Sequence, residues 1–200
     1  TVIICGVRFM GESAKLLAPE KKVLIPAIDA GCPMADMVTV EDVLKLKEEH
    51  PNAAVMCYVN SSAAVKAVSD ICCTSSSAIR VANSIDNDEI IFVPDIHLAE
   101  YVADQVPDKK FILHTGFCPT HHRVTEADII AAKKAHPEAA VAVHPECRKE
   151  VLKHADFVGS TAQIIDFARK SEAPEIIIGT EMEIAARLQR EMPEKKVYSV

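Results

Sequence analysis

Two Cys-Pro pairs contain the side chains of this sequence that are best suited to holding a metal. Cys32 and Cys118 each come shortly after a glycine, and His121 lies three residues beyond the second cysteine. Thiolates bind zinc, copper and iron–sulfur clusters. A free cysteine is also among the residue types most often buried as a small apolar side chain. On these residues alone, metal ligation and core packing are equal alternatives.

Polar side chains also follow two apolar runs, at the places where buried strands would end. Tyr58 and Asn60 close the first run, and His144 and Glu146 close the second. Side chains two residues apart on an extended segment point the same way, and open α/β sheets bind ligands at the carboxyl ends of their strands. Because the pKa of histidine is near neutral, His144 suits proton transfer. We therefore expect each pair to face one side of a shared cleft.

Hydroxyl side chains precede two of the predicted helices. Thr74 and Ser75 come before one helix, and Ser160 and Thr161 come before another. Such hydroxyls, together with the free backbone N–H groups of a helix N-terminus, form a natural site for phosphate or carboxylate. Ordinary N-capping favours the same residue types without any ligand. The residues alone leave both interpretations open.

An internal repeat organises most of the chain, with an offset of 86 residues, the separation of Cys32 from Cys118. Residues 32–114 match residues 118–200 without a gap. The matches include Cys32-Pro33 with Cys118-Pro119, Thr39 with Thr125, His50-Pro51 with His136-Pro137, Ala53-Ala54-Val55 with Ala139-Ala140-Val141, and Glu89-Ile90-Ile91 with Glu175-Ile176-Ile177. Each copy alternates apolar runs with helical patterns, which predicts small parallel sheets covered by helices on both faces.

The repeat predicts three similar α/β/α (Rossmann-like) domains about a pseudo-threefold axis. Residues 1–31 would be the C-terminal part of a truncated first domain, residues 32–117 the second domain and residues 118–200 the third. Continued by one more offset, the repeat places a third equivalent cysteine just beyond Val200. Three thiolates from three domains suit a cluster with one open coordination position better than a closed four-ligand structural site.

Composition limits the partners that we expect for the protein. The net charge is −7 and 49% of the residues are apolar, without a basic stripe or an apolar run long enough to span a membrane. We expect no nucleic-acid or membrane partner and a cytoplasmic location. Seven cysteines without a CxxC pair predict free thiols. Four of these cysteines fall in predicted strands and are expected in the core: Cys5, Cys57, Cys72 and Cys73.

Seven short motifs occur in a specific order along the chain. They are Gly6-Val7-Arg8-Phe9-Met10-Gly11-Glu12, Tyr58-Val59-Asn60-Ser61, Cys73-Thr74-Ser75-Ser76, Gly116-Phe117-Cys118-Pro119-Thr120-His121, His144-Pro145-Glu146-Cys147, Gly159-Ser160-Thr161 and Gly179-Thr180-Glu181. In order and spacing they resemble the quinolinate synthase family (quinolinate synthetase A), the iron–sulfur dehydratases of NAD biosynthesis. Two departures are Ser77, where the family usually has Asn, and Glu183, where many relatives carry Gly.

The resemblance implies an enzyme that condenses iminoaspartate with dihydroxyacetone phosphate to quinolinate, with loss of water and phosphate. It also implies a 4Fe-4S cluster, held by three cysteines at the junction of three domains, with one iron open as a Lewis acid. By position, Cys32 and Cys118 match two of the ligands. The third ligand and further family residues are expected outside this chain, so the resemblance implies that the chain alone is inactive. L-aspartate oxidase is the implied partner, as the supplier of iminoaspartate.

The resemblance further implies roles for eight residues. Tyr58 and Asn60 would orient a substrate carboxylate or hydroxyl, whereas His144 and Glu146 would move protons. The implied catalytic residues are Tyr58, His121, His144 and Glu146, and the implied substrate-binding residues are Asn60, Ser75, Ser160 and Thr161.

Two other functions remain compatible with parts of the sequence. A non-catalytic Rossmann-like module would use the Ser/Thr turns to hold a phosphorylated metabolite, and it would be colourless whether purified with or without air. A radical enzyme of the diphthamide-synthesis type also uses three cysteines from three domains, and it would be recognised by cleavage of S-adenosylmethionine. The motifs around Tyr58 and His144 favour quinolinate synthase over the radical enzyme.

Overall fold

The computed structural model describes all residues 1–200, and these form two compact units, residues 1–117 and residues 118–200. Each unit contains one four-stranded parallel sheet with helices packed against it. None of the helices combines the length and the apolar character that crossing a bilayer requires.

The first unit contains six strands and five α-helices. In chain order they are β1 (Val2–Ile3), α1 (Arg8–Leu17), β2 (Val23–Leu24), α2 (Val40–Glu49), β3 (Ala54–Tyr58), α3 (Ala63–Ala67), β4 (Ile71–Cys73), α4 (Ala78–Ser84), β5 (Glu89–Val93), α5 (Ile96–Gln105) and β6 (Lys110–Leu113). A short 3-10 helix, Ala35–Met37, precedes α2. β1 and β2 form a parallel pair, and the other strands form a parallel sheet in the order β4-β3-β5-β6.

The second unit contains four strands and five helices. In chain order they are α6 (Pro119–His122), α7 (Glu126–Ala135), β7 (Ala140–Val143), α8 (Lys149–Leu152), β8 (Phe157–Val158), α9 (Thr161–Lys170), β9 (Glu175–Gly179), α10 (Met182–Glu191) and β10 (Lys196–Ser199). Its parallel sheet has the order β10-β9-β7-β8. In both four-stranded sheets the first and third strands along the chain are therefore the central ones.

Matching capping boxes begin the first long helix of each sheet. Oγ1 of Thr39 accepts the N–H of Asp42 at 3.1 Å, and the Asp42 carboxylate accepts the N–H of Thr39 at 2.9 Å. Thr125 and Asp128 make the same two bonds at 3.2 and 2.9 Å. The sequence predicts both caps, and both helices end, as predicted, at a histidine that stands before proline.

The central strands are buried on both faces, which explains their continuous apolar sequences. All residues of β3 are buried, and so are the last four residues of β9. In the second sheet, Ile176 and Ile178 pack against α9 and α10, whereas Ile177 points to the other face and packs against α7 and α8. These features confirm the predicted α/β class with parallel sheets. The pseudo-threefold repeat and the division into three domains stay predictions.

Two short strands run into Ser/Thr-rich segments, as the sequence predicts. β4 ends at Cys73, and β8 ends at Val158. The residues that follow carry hydroxyl groups, which favour turns and helix N-termini over strands because they bond to nearby backbone groups. The polar residues that follow β4 and β8 therefore lie at the carboxyl edges of their sheets.

The expectation of a core position is wrong for two of the four cysteines. Cys57 and Cys73 are buried, but Cys5 and Cys72 are exposed. Cys5 lies beyond the end of β1, and Cys72 lies on β4, which is an edge strand of its sheet. The apolar run Ile71–Cys73 therefore located β4 correctly but not the exposure of each of its side chains.

Candidate active site

Two strand ends and one short helix bring polar residues together in the second unit. His144 directly follows β7, Glu146 lies in the turn after it, and Thr180 directly follows β9. Because β7 and β9 are neighbouring parallel strands, their carboxyl ends lie at the same edge of the sheet. The helix α6 supplies His121 and begins at Cys118, its N-cap.

Glu146 lies between two histidines in a buried environment. Its Oε2 atom lies 3.0 Å from Nδ1 of His121, and its Oε1 atom lies 3.8 Å from Nδ1 of His144. The two imidazole rings are stacked, with their centroids 4.6 Å apart. His121 is 5% exposed, and His144 and Glu146 are each 3% exposed. Because an unpaired buried carboxylate is strongly unfavourable, Glu146 needs a charged partner, and His121 is the nearer of the two rings.

The backbone of the turn determines which ring nitrogen of neutral His144 carries the proton. The N–H of Glu146 donates to Nδ1 of His144 at 3.3 Å. Nδ1 is therefore an acceptor, and the proton of the neutral ring lies on Nε2. The two side chains meet through this turn, whereas the sequence predicts that they share one side of an extended segment.

Thr180 lies on the other side of the His121 ring. Its Oγ1 atom lies 2.8 Å from Nε2 of His121. Gly179, just before it, allows β9 to approach β7 closely, since a Cβ atom at this position would lie 2.9 Å from Cγ2 of Val143. Both nitrogens of His121 thus face oxygen atoms, which fixes the orientation of its ring.

The two histidines differ in charge because their surroundings differ. Burial lowers the pKa of His144 to about 4, and the attraction of Glu146 offsets this only in part. Burial also acts to lower the pKa of His121, but hydrogen bonding to Cys118 and pairing with Glu146 outweigh it and raise the pKa to about 10. Near pH 7, His121 is an imidazolium that balances Glu146, and His144 is neutral.

Cys118 brings a thiol to the same cluster. It is half-buried, and its Sγ atom, one ring nitrogen of His121 and one carboxylate oxygen of Glu146 lie within 4.8 Å of one another. Thiolate, imidazole and carboxylate are ligands of zinc and of iron. The predicted metal ligand in this unit is therefore accompanied by two further donor groups.

Ser160 and Thr161 begin α9, a helix of ten residues. The N–H of Ser160 donates to Oε1 of Gln163 at 2.8 Å, so the Gln163 side chain helps to cap the N-terminus of the helix. The Oγ atom of Ser160 is buried and faces the backbone N–H of Gln163 as in a capping box, but it makes no close hydrogen bond. Because a buried hydroxyl without a close hydrogen bond is unfavourable, this atom is poised to bond to a ligand oxygen at the helix N-terminus.

The residues predicted for the first unit lie at the carboxyl end of its sheet. Tyr58 is the last residue of β3 and is 5% exposed, and Asn60 is half-buried in the bend that follows. Ser75 is half-buried in the turn after β4. In that turn the N–H of Thr74 donates to Oγ of Ser77 at 2.9 Å, and Oγ1 of Thr74 lies 3.0 Å from the same atom. The Ser75 hydroxyl takes no part in these bonds.

Cys32 lies in the loop that precedes the 3-10 helix and is half-buried. It borders a cavity of about 340 Å³. The polar residues that share this cavity with it are Arg8, Glu12, Asp29, Asp36 and Ser62. The thiol therefore has open space beside it for a group larger than a single ion.

The contact between Thr180 and His121 could not be predicted from the sequence. Thr180 belongs to Gly179-Thr180-Glu181, a segment that marks the family resemblance without indicating a role. Its position was the available signal, since it is the first residue after the third strand of its sheet. A hydroxyl at that place lies at the same edge as the residues that follow β7.

Comparison with known proteins identifies the family. A family model described as "Quinolinate synthetase A protein" matches residues 1–200. The chain belongs to the quinolinate synthetase A family. This membership confirms the resemblance that the seven motifs predict, and it favours that family over the diphthamide-synthesis alternative.

Similar proteins of the quinolinate synthetase A family come from bacteria and archaea. "Quinolinate synthase" of Caldicellulosiruptor saccharolyticus is 57% identical over 197 residues, which are 98% of this chain and 65% of that protein. "Quinolinate synthase" of Alkaliphilus metalliredigens is 56% identical over the same coverage. "Quinolinate synthase 2" of Methanosarcina acetivorans is 56% identical over 199 residues, which are 100% of this chain and 64% of that protein. The chain thus spans about two thirds of the length of these relatives, slightly less in each case.

Proposed function

We propose that this chain provides the acid–base and substrate-binding groups of a quinolinate synthase, an enzyme of NAD biosynthesis. The proposed reaction condenses iminoaspartate with dihydroxyacetone phosphate, with loss of water and phosphate. The observation that carries the proposal is the buried pair of histidines joined by one carboxylate, beside a half-buried thiol. Condensation and dehydration require protons to be delivered to leaving oxygens and removed from carbon or nitrogen, which is general acid–base work.

Cys32 and Cys118 are proposed as two of the three thiolate ligands of a 4Fe-4S cluster. Both thiols are half-buried, and Cys32 borders a cavity of about 340 Å³, so both residues fit a group that is held by thiolates. When bound, such a cluster supplies a Lewis-acidic iron that polarises a substrate oxygen. The chain's own residues then have to bind the substrates and move the protons.

His144 is suited to donate a hydrogen bond from its Nε2 atom to a substrate oxygen. Its Nδ1 atom accepts the N–H of Glu146, so the neutral ring presents Nε2–H. Because burial keeps the pKa of this ring at about 4, the ring is neutral at physiological pH. A neutral imidazole can polarise a carbonyl or a leaving hydroxyl without adding a buried charge.

Glu146 and His121 form the second part of the proposed acid–base set. The carboxylate lies 3.0 Å from Nδ1 of His121, so the imidazolium of His121 balances its charge. Thr180 holds Nε2 of the same ring at 2.8 Å. We assign the exchange of protons with substrate to Glu146, hydrogen-bond donation to a substrate oxygen to His144, and the charge balance of the cluster of side chains to His121.

Substrate binding is assigned to hydroxyl and amide groups of both units. The phosphate of dihydroxyacetone phosphate suits Ser160 and Thr161, because the buried Oγ atom of Ser160 makes no close hydrogen bond at the start of a ten-residue helix. Tyr58, Asn60 and Ser75 are proposed to orient the carboxylates and hydroxyls of the substrates. L-aspartate oxidase is the proposed supplier of iminoaspartate.

Anaerobic reconstitution tests this proposal. The chain, extended at both ends to the length of its relatives, is incubated with iron and sulfide, and the bound iron, the acid-labile sulfide and the formation of quinolinate are measured. We expect about four irons per chain, as in a 4Fe-4S cluster, together with quinolinate. Fewer than about three irons would overturn the cluster assignment. A colourless protein that binds dihydroxyacetone phosphate without turnover would favour the non-catalytic alternative.

Two cysteine variants make the test specific. Cys118→Ser should lose iron, because it replaces a proposed ligand. Cys147→Ser is the matched control, since Cys147 is fully buried in the apolar cluster under β7 and should keep its iron content. Equal iron contents in the two variants would contradict the assignment of Cys118.

A further inference from the structure

Two cysteines lie side by side on the first sheet, away from the proposed ligands. Cys57 on β3 and Cys72 on β4 are direct partners across this parallel strand pair. Partner residues on adjacent parallel strands point to the same face, and adjacent strands are about 4.8 Å apart. A disulfide requires Cα atoms roughly 4.4 to 6.8 Å apart. The backbone therefore already places these two residues within bonding range.

The two thiols differ in exposure and in charge. Cys57 is buried and Cys72 is exposed, on the edge strand. The Cys57 thiol donates to the carbonyl oxygen of Tyr58 at 3.3 Å. Interaction with the neighbouring Cys57, assisted by the charge of Lys66, lowers the pKa of Cys72 to about 6. Interaction with Cys72 and burial raise the pKa of Cys57. Near pH 7 the pair therefore consists of an exposed thiolate and a buried thiol.

Polar side chains from α3 and its neighbours surround the pair. The ammonium group of Lys66 faces both sulfur atoms, and its Nζ donates to Oγ of Ser13 at 2.8 Å. Glu12 is the acidic group that acts on this lysine. The hydroxyls of Ser61 and Ser69 face the Cys57 sulfur. The environment thus favours negative charge on the Cys72 sulfur, and the thiolate is the state in which a cysteine reacts.

The second sheet shows that this arrangement is not needed for the fold. At an offset of 86 residues, Cys57 and Cys72 correspond to Val143 and Val158, which are also direct strand partners. Lys66 corresponds to Leu152, which packs with Val143 in an apolar cluster. A sheet with the same strand order fills this space with apolar side chains, so the thiols and the lysine of the first sheet call for another explanation.

We propose that Cys72 is a site of oxidative modification and that Cys57 resolves it by forming a reversible intramolecular disulfide. The oxidant is a hydroperoxide. The Cys72 thiolate attacks one peroxide oxygen, the O–O bond breaks, and Cys72 becomes a sulfenic acid while the other oxygen leaves as hydroxide or alkoxide. The Cys57 thiol then attacks the Cys72 sulfur, the S–O bond breaks and water leaves. The two cysteines lose two electrons in total, which reduce the peroxide.

The disulfide would lie close to the proposed substrate-binding residues of the first unit. Tyr58 directly follows Cys57, and the turn that contains Ser75 begins at Thr74, two residues after Cys72. The inference does not depend on the proposed catalytic function, because it concerns thiols that hold neither the substrates nor the cluster in that proposal.

Peptide mass spectrometry of the 200-residue chain tests the inference. The reduced chain is treated with hydrogen peroxide, the remaining thiols are blocked with iodoacetamide, and the digest is searched for a peptide that joins Cys57 to Cys72. We expect this joined peptide, and we expect dithiothreitol to remove it. Oxidation of the exposed Cys5 under conditions that leave Cys57 and Cys72 unjoined would overturn the proposal.

Alkylation rates supply a second readout that needs no oxidant. At pH 6, Cys72 in the folded chain should react with iodoacetamide on the order of ten times faster than the same residue in urea, since the larger thiolate fraction outweighs the weaker nucleophilicity of a low-pKa thiol. Cys57→Val should abolish the disulfide and leave Cys72 as a sulfenic acid that dimedone traps. An equal rate in the folded and unfolded chains would contradict the proposed reactivity. If Cys57→Val fails to fold, the joined peptide and the alkylation rate of Cys72 in the unmodified sequence still test the proposal.

Discussion

The carboxyl ends of the two four-stranded sheets carry different chemistry on the same strand order. After its first strand the sheet of the first unit presents Tyr58 and Asn60, whereas the sheet of the second unit presents His144 and Glu146. The first pair offers hydroxyl and amide groups, to which we assign substrate binding. The second pair belongs to a buried cluster whose two histidines have very different pKa values.

The difference shows what strand order does and does not determine. Parallel strands bring their carboxyl ends to one edge, so polar residues at those ends meet whatever their type. The residue types then decide the function, as they do in other folds that host several activities. In this chain the second sheet suits proton transfer, and the first sheet suits binding and, at its thiol pair, oxidation.

The largest expected effect comes from His144→Ala in the reconstituted, extended protein. Turnover should fall by about 10²- to 10³-fold, because a buried hydrogen-bond donor that polarises a substrate oxygen is lost. The iron content should not change, since His144 is not a proposed ligand. Initial rates of quinolinate formation, together with counted iron, measure both outcomes.

The control for this variant is His154→Ala. His154 pairs with Glu126 at the surface, outside the proposed site, and its loss should leave turnover within about two-fold. Wild-type turnover in the His144→Ala variant would show that catalysis does not need His144. It would contradict the proposed difference in chemistry between the two sheets.

A smaller effect is expected for Thr180→Val, measured as the free energy of unfolding of the 200-residue chain in urea. The variant leaves Nε2 of the buried His121 without its acceptor, which costs about 1 to 3 kcal/mol. Thr180→Ser keeps the hydroxyl and should lose less. Equal losses in the two variants would show that the methyl group of Thr180, and not its bond to His121, supports the site.

The smallest effect tests where the two sheets are alike. Thr39→Ala and Thr125→Ala remove matching capping boxes from α2 and α7. Each should lower the free energy of unfolding by about 1 kcal/mol. Strongly unequal losses of unfolding free energy in urea would indicate that the two matching capping boxes differ in their contribution to stability.

The regular parts of the fold could be predicted because each depends on residues close in sequence. The capping residues Thr39 and Thr125 begin their helices, and buried apolar runs form β3, β5, β7 and β9. The positions of His144 and Glu146 after a central strand follow from the same patterns.

The remaining features depend on contacts between residues far apart in sequence. The bond between His121 and Thr180 joins residues from α6 and from the end of β9, and no local pattern indicates it. The exposure of Cys72 depends on β4 being an edge strand, which the apolar run Ile71–Cys73 does not reveal. The positive charge of His121 and the neutral state of His144 depend on the contacts of His121 with Cys118 and Glu146 and on the burial of His144.

Titration of the two buried histidines by NMR tests the central claim most directly. In the 200-residue chain His144 should stay neutral, with its proton on Nε2, down to about pH 4. Because its pKa is near 6.5 in the unfolded chain, the unfolded chain takes up this proton first, and the contribution of His144 to stability falls as pH drops from about 6.5 towards 4. A His144 resonance that titrates near pH 6.5 would contradict the account.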